Sequence, residues 1–179
     1  MPEPEVLFQH ILRVIAFEKD LAGKKVLVTA GPTQEAIDPV RYITNHSTGK
    51  MGYAIAEMRM LRGADVTLVT GSCAMEPPMF VKVKPVISAQ DMYEAVTEEY
   101  EQTDIVIMTA AVADYRPAQV STEKVKKKED DMSIPLTRTK DILQPLVLLR
   151  HISLMRFFHG DTEHAGKLQN QDCKRKIWI

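Results

Sequence analysis

Four short runs rich in β-branched and apolar residues, at 25–30, 65–70, 80–86 and 104–109, alternate with stretches whose apolar residues recur at helical spacing. Two successive strands joined through a crossover helix return to the same edge and pair in parallel, whereas a tight turn would pair them antiparallel. Repetition of that unit predicts an α/β domain, a Rossmann-like open and mainly parallel sheet with helices on both faces. Ligands of such sheets sit at the carboxyl ends of the strands. Between the first two strands, Met51, Ala54, Ile55, Met58 and Leu61 recur at helical spacing before Gly63 ends the pattern. Ser88 can cap a second helix carrying Met92, Ala95, Val96 and Tyr100. A lead-in helix over 6–17, started by Pro4, places Leu7, Ile11, Leu12 and Ile15 near one face. Residues 132–137 read as a further strand, half of a hairpin whose tip is the basic run Glu123-Lys-Val-Lys-Lys-Lys128.

With 179 residues the chain has the length of one domain and enough apolar residues for one core. Twenty-three basic residues against 24 acidic ones argue against broad nucleic-acid binding and against a polybasic membrane surface, so charge must act locally. Cys73 and Cys173 make neither a disulfide framework nor a metal-ligand set, and as reduced thiols they suit a cytoplasmic protein. No uninterrupted apolar stretch is long enough to span a bilayer, and the acidic opening lacks the basic start of a secretory signal.

Three segments hold the candidate chemistry. The polar run from Gly31 to Gly52 lies between the first strand and a helix, where free backbone N–H groups and the helix N-terminus favour an anion. It matches neither the Walker nor the dinucleotide glycine pattern. Within it Arg41 offers a planar fork for carboxylate or phosphate, Asn45 can donate and accept, and Ser47, Thr48 and Lys50 stand at the helix start. The plainer alternative has Asn45 and Ser47 capping the helix and Arg41 solvating the surface. His46 is a lone loop histidine, a weak candidate acid or base. The second segment, 108–117, follows the fourth strand. Its small residues let a flat or phosphorylated ligand approach the backbone, and Asp114 can hold a ribose hydroxyl, a base edge or a metal-bound water. Equally, the alanines pack and Asp114 opens a turn. The third is Lys124, Lys126, Lys127 and Lys128, either a solvated face or point charges that close over a triphosphate.

Taken together, Thr29-Ala-Gly-Pro-Thr33, Asp38-Pro-Val-Arg-Tyr-Ile43, Asn45-His-Ser47, Ser47-Thr-Gly-Lys-Met-Gly52, Ala110-Ala-Val-Ala-Asp-Tyr-Arg116 and Lys124-Val-Lys-Lys127 resemble the phosphopantothenoylcysteine synthetase domain of coenzyme A biosynthesis, from about Gly23 to Leu143. The resemblance implies a two-step ligation. CTP activates the carboxylate of 4′-phosphopantothenate as an acyl-cytidylate, pyrophosphate leaves, and the cysteine amine then displaces CMP, with Mg²⁺ neutralising the triphosphate. By position it assigns Asn45 to the acyl-cytidylate, Arg41 to the nearby loop, and Lys124 to the CTP phosphates with Lys127 as an accessory charge. Met108, Thr109, Ala110, Ala111 and Asp114 match the nucleotide-contacting loop, and no residue is implied as a metal ligand. Thr139, Lys140, Asp141 and Ile142 fall where the family often has Asn-Pro-Asp-Ile against the nucleotide, a departure at Thr139 and Lys140. The resemblance also implies a homodimer whose lysine arm reaches toward the partner subunit.

Residues 1–22 look like the end of a preceding decarboxylase domain and a linker helix, 23–143 like an incomplete synthetase domain, and 144–179 like an atypical tail. After Leu143 the family continues with a strand bearing Gly-Phe-x-x-Glu-Thr, where this chain has Arg156-Phe-Phe-His-Gly-Asp-Thr162. Read one base out of frame, that stretch permits Gly-Phe-Ser-Met-Glu-Thr. The expectation is a frameshifted tail, so Lys174, Arg175 and Lys176 are not taken as ligands. Two readings from different classes stand: the ligase itself, and an impaired nucleotide-binding or dimerisation fragment of it. A nicotinamide dehydrogenase would need the glycine fingerprint that is absent.

Overall fold

The computed structural model describes residues 2–127, 132–143 and 153–156, the last four by their backbone. Strands β1 (Lys25–Ala30), β4 (Asp65–Thr70), β5 (Lys82–Pro85), β6 (Ile105–Met108) and β9 (Ser153–Arg156) form one sheet in the order β5-β4-β1-β6-β9. Every pairing in it is parallel. Counted along the chain, the first strand of this sheet is central, the next two lie to one side and the last two to the other, so the direction of winding reverses between β1 and β6. Two small antiparallel ribbons stand apart from it. One pairs β2 (Gln34–Ala36) with β3 (Tyr42–Thr44); the other pairs β7 (Tyr115–Pro117) with β8 (Leu136–Arg138).

Both sheet faces are covered, which is why β1 reads as an almost continuous apolar run. On one face Tyr53, Ala56, Met60 and Leu61 of α2 (Lys50–Leu61) pack on Val26, Val28, Val66 and Leu68. On the other, Met92, Val96 and Tyr100 of α3 (Ala89–Tyr100) meet Leu27, Val69 and Val106. Ser88 starts α3 as expected: its hydroxyl accepts from the Asp91 amide, and the Asp91 carboxylate accepts from the Ser88 amide at 2.8 Å.

Three expectations need correction. The buried face of α2 is not Met51, Ala54 and Met58, which are exposed, but Gly52, Tyr53, Ala56, Met60 and Leu61. A Cβ on Gly52 would lie 2.5 Å from both Ala30 Cβ and Thr109 Oγ1, so only glycine admits this approach of the helix to β1, and the smallest side chains set the phase. Helix α1 runs Pro4–Ile15, two residues earlier at each end than its apolar pattern suggests, because proline at the first position has no N–H that needs a partner. Of its expected apolar face only Leu12 packs on the core; Leu7, Ile11 and Ile15 are exposed. The late strand is Leu136–Arg138 rather than 132–137, and the basic run lies in the connection between β7 and β8, as the hairpin reading requires.

Candidate functional site

The winding reverses at the carboxyl ends of β1 and β6, where the two polar loops leave the sheet, the place at which sheets of this kind bind their ligands. Two buried threonines, Thr29 near the end of β1 and Thr33 in the first loop, join this end of β1 to the second loop. Thr29 Oγ1 accepts from the amides of Thr109 at 3.1 Å and Ala110 at 3.2 Å, and the Thr109 hydroxyl donates back to the Thr29 carbonyl. Thr33 donates its amide to the Ala111 carbonyl at 3.2 Å and accepts the Ala113 amide on its hydroxyl at 3.0 Å. Asn45 completes the seam, its Nδ2 donating to the same Ala111 carbonyl at 3.1 Å. Asn45 is exposed and no other bond holds its amide among the described residues, so its oxygen and second N–H are left for a ligand.

Helix α2 starts beside this seam. Its N-cap is Gly49, at φ 75° and with no side chain bonded across the cap, so Asn45 and Ser47 do not cap the helix; Ser47 Oγ only accepts the Gly49 amide at 3.3 Å. A left-handed residue there suits glycine, and a Cβ would sit 2.5 Å from Cys73 Sγ and 3.3 Å from the backbone of Gly31. The first amides of α2, with Lys50 exposed among them, are thereby drawn against the loop, a favourable setting for an anion.

Arg41 does more than solvate the loop. Its Nε and Nη2 bond Asp38 Oδ2 at 3.1 and 2.5 Å, and Nη2 also donates to the Val125 carbonyl at 3.0 Å. Asp38 is buried and accepts the Val40 and Arg41 amides on Oδ1, each at 2.9 Å, and the Val125 amide on Oδ2 at 3.1 Å. Arg41 beside it, reinforced by the three amides, holds its carboxyl well below the usual carboxylate range. Sequence reasoning missed Asp38 as a contributor, although an aspartate followed by Pro-Val-Arg signals a carboxylate turned back onto its own loop. Thr29 and Thr33 were missed as well, and a hydroxyl next to an apolar run was their signal.

The lysines expected over the phosphates, Lys124 and Lys127, are exposed, and no ion pair holds either among the described residues. Their tie to the site is the intervening Val125. Lys128 lies outside the described residues, as do Cys173 and the stretch 157–179 on which the frameshift expectation rests. On the far side, Thr139 donates its amide to the Asp114 carbonyl at 2.9 Å and its hydroxyl to the Ala113 carbonyl at 2.6 Å. Residues 139–142 are thus fastened to the 108–114 loop. The Asp114 carboxylate is exposed, Asp141 accepts the Leu143 amide at 2.8 Å, and the Lys140 ammonium stands 5.0 Å from the Tyr93 ring centroid. Met108 and Ile142 are core residues beside α3, so any contact of theirs with a ligand would be made by backbone. The described residues contain no group of three or more His, Cys, Asp or Glu placed to hold a metal. They also include no helix long and apolar enough to cross a membrane.

Residues 21–176 match the family described as the DNA/pantothenate metabolism flavoprotein C-terminal domain. The coenzyme A biosynthesis bifunctional protein CoaBC of Haemophilus influenzae is 43% identical over 98% of this chain, which spans 44% of that relative's length. The protein of the same name from Bacillus subtilis is 45% identical over 91% of the chain and 41% of its own. Among solved structures, the C-terminal domain of a coenzyme A biosynthesis bifunctional protein CoaBC superposes with a TM-score of 0.65 at 51% identity, covering 75% of this chain and 63% of that one. A family match over most of the chain, agreement with relatives along nearly its whole length and the shared parallel sheet lead to one conclusion: the chain belongs to the DNA/pantothenate metabolism flavoprotein C-terminal domain family.

Proposed function

We propose that this chain carries the phosphopantothenate–cysteine ligase step of coenzyme A biosynthesis, with CTP as the activating nucleotide. The observation that supports it best is the seam at the carboxyl ends of β1 and β6, where Asn45 is bonded to Ala111 and a lysine-bearing arm is tied to the same loop through Val125. In the first step the carboxylate of 4′-phosphopantothenate attacks the α-phosphorus of CTP and pyrophosphate leaves. Lys124 and Lys127, charged and unpaired among the described residues, bind the triphosphate in the ground state and keep that contact as charge passes to the leaving pyrophosphate. In the second the cysteine amine attacks the acyl carbon and CMP leaves. Asn45, with its free N–H, holds the acyl-cytidylate between the two events, while Thr109, Ala110, Ala111 and Asp114 line the nucleotide side and Arg41 fixes the arm. Residues 139–142 follow that side, being bonded to the same loop.

A magnesium ion that keeps most of its bonds to water and phosphate needs few protein ligands, and the exposed Asp114 among residues without an acidic cluster fits that demand. When bound it neutralises the triphosphate. The names of the relatives describe bifunctional proteins, and a fused decarboxylase domain, a homodimer and a cytoplasmic setting belong to the same proposal.

The test is to supply CTP, Mg²⁺, 4′-phosphopantothenate and cysteine, and to measure pyrophosphate, CMP and phosphopantothenoylcysteine together. Equal yields of all three are expected, with ATP a poor substitute. CTP binding without pyrophosphate release would instead mark a nucleotide-binding fragment, and equal use of ATP would remove the cytidine preference.

A further inference from the structure

The ligase chemistry does not use the buried carboxylate of Asp38, whose bonds are distributed in an informative way. Two amides of its own turn, Val40 and Arg41, occupy Oδ1, while Oδ2 takes the Arg41 guanidinium and the amide of Val125. The same guanidinium returns to the carbonyl of Val125 at 3.0 Å. Both backbone groups of Val125 are therefore held from across the loop by one ion pair. A backbone bond adds a further tie, Ser121 donating to the Ile37 carbonyl at 3.0 Å. Val125 is flanked by Lys124 and Lys126, and a lysine stem has several rotatable bonds, so the ammonium groups can only be confined if the backbone carrying them is fixed.

We infer that Asp38 is a positioning residue, a latch whose carboxylate, braced by Arg41, fixes Val125 and so sets where Lys124 and Lys127 stand relative to the first loop. Arg41 on this view acts on the nucleotide through the arm it holds. The inference rests on the ligase reading for its consequence in catalysis, while the latch itself is a property of the fold. An ion pair that served stability alone would leave nucleotide affinity untouched in a protein that still folds. A latch instead couples Asp38 to the triphosphate at a distance, through ground-state binding, and its loss should raise KM for CTP more than it lowers kcat.

Two variants separate the possibilities. Asp38→Asn keeps the shape but gives up the charge that holds Arg41. Val125→Pro keeps both partners of the ion pair, removes the arm's N–H, and also fixes φ at residue 125 and restricts Lys124 before it. Amide exchange followed by NMR, thermal unfolding, and steady-state pyrophosphate release at varied CTP would be measured for each. For Asp38→Asn, exchange at Val125 is expected to quicken by about tenfold or more, with the amides of Leu27 and Ile107 still protected, as for a local opening. In both variants KM for CTP should rise by about tenfold, the worth of one charge-assisted bond, and kcat should fall by less than about threefold. Val125 protection and KM unchanged in folded Asp38→Asn would overturn the latch. Should that variant lose its core protection as well, an unchanged KM in folded Val125→Pro overturns it. If the wild-type protein releases no pyrophosphate, the ligase reading fails, and exchange at Val125 in Asp38→Asn decides the latch alone.

Discussion

Asn45 is the residue on which a structural role and a chemical role part most cleanly. Its amide donates to the Ala111 carbonyl from an exposed position, so the bond is a modest one and the loop is held besides by Thr29 and Thr33. In Asn45→Asp the carboxylate has no donor and, on the proposed ligase mechanism, places negative charge beside an anionic acyl phosphate. Folding should therefore change by less than about 0.5 kcal/mol. Pyrophosphate release should stay within about threefold of wild type, while phosphopantothenoylcysteine formation falls by about 100-fold, roughly 2.7 kcal/mol in the second barrier. Normal product formation by this variant, measured beside its thermal unfolding, would remove Asn45 from the chemistry. Asn45 could be picked out in the sequence because polar residues crowd an unusually long junction between a strand and a helix. The turn of Asp38 back onto its own loop had a local signal, but its hold on Val125 did not, because Val125 is 87 residues away and is engaged through backbone, which carries no sequence signal.

At the scale of elements, the strands and α3 were legible because their signals are local: β-branched runs for the strands, a serine and an aspartate three residues apart for the cap. The orientation of α2 was not. An apolar pattern that gave methionines the inward face lost to the need for Gly52 and Ala56 to lie against the sheet. Gly52→Ala tests this. Helix propensity alone favours alanine by about 1 kcal/mol, whereas forcing a methyl into a packed contact costs about 1–3 kcal/mol. The obstruction comes from Ala30 at β1 and Thr109 at the second loop, neither of which has a flexible end to move aside. A net loss of about 1 kcal/mol in thermal or denaturant unfolding is expected, and a stabilised variant would contradict the close approach. The lead-in helix α1 teaches the converse: its apolar pattern named a helix correctly, but most of the apolar face it named is exposed, with Leu12 as its inward anchor.

For the whole molecule, alternating strand and helix patterns sufficed to read a parallel sheet covered on both faces, since few connections are compatible with them. The order β5-β4-β1-β6-β9 then decides where two loops meet that are distant in sequence, and this meeting is what turns separate polar segments into one candidate site. The two small ribbons were only partly visible, because each is a few residues long and is stabilised by contacts with the loops rather than by its own pattern. The central claim is that this junction activates a carboxylate with a nucleotide. It is tested most directly by incubating the protein with CTP labelled at its α-phosphorus, Mg²⁺ and 4′-phosphopantothenate in the absence of cysteine, then quenching and separating the labelled species. A labelled acyl-cytidylate that requires phosphopantothenate and is converted to CMP and phosphopantothenoylcysteine when cysteine is added is the expected result; labelled CTP recovered unchanged from a folded, CTP-bound protein would contradict it.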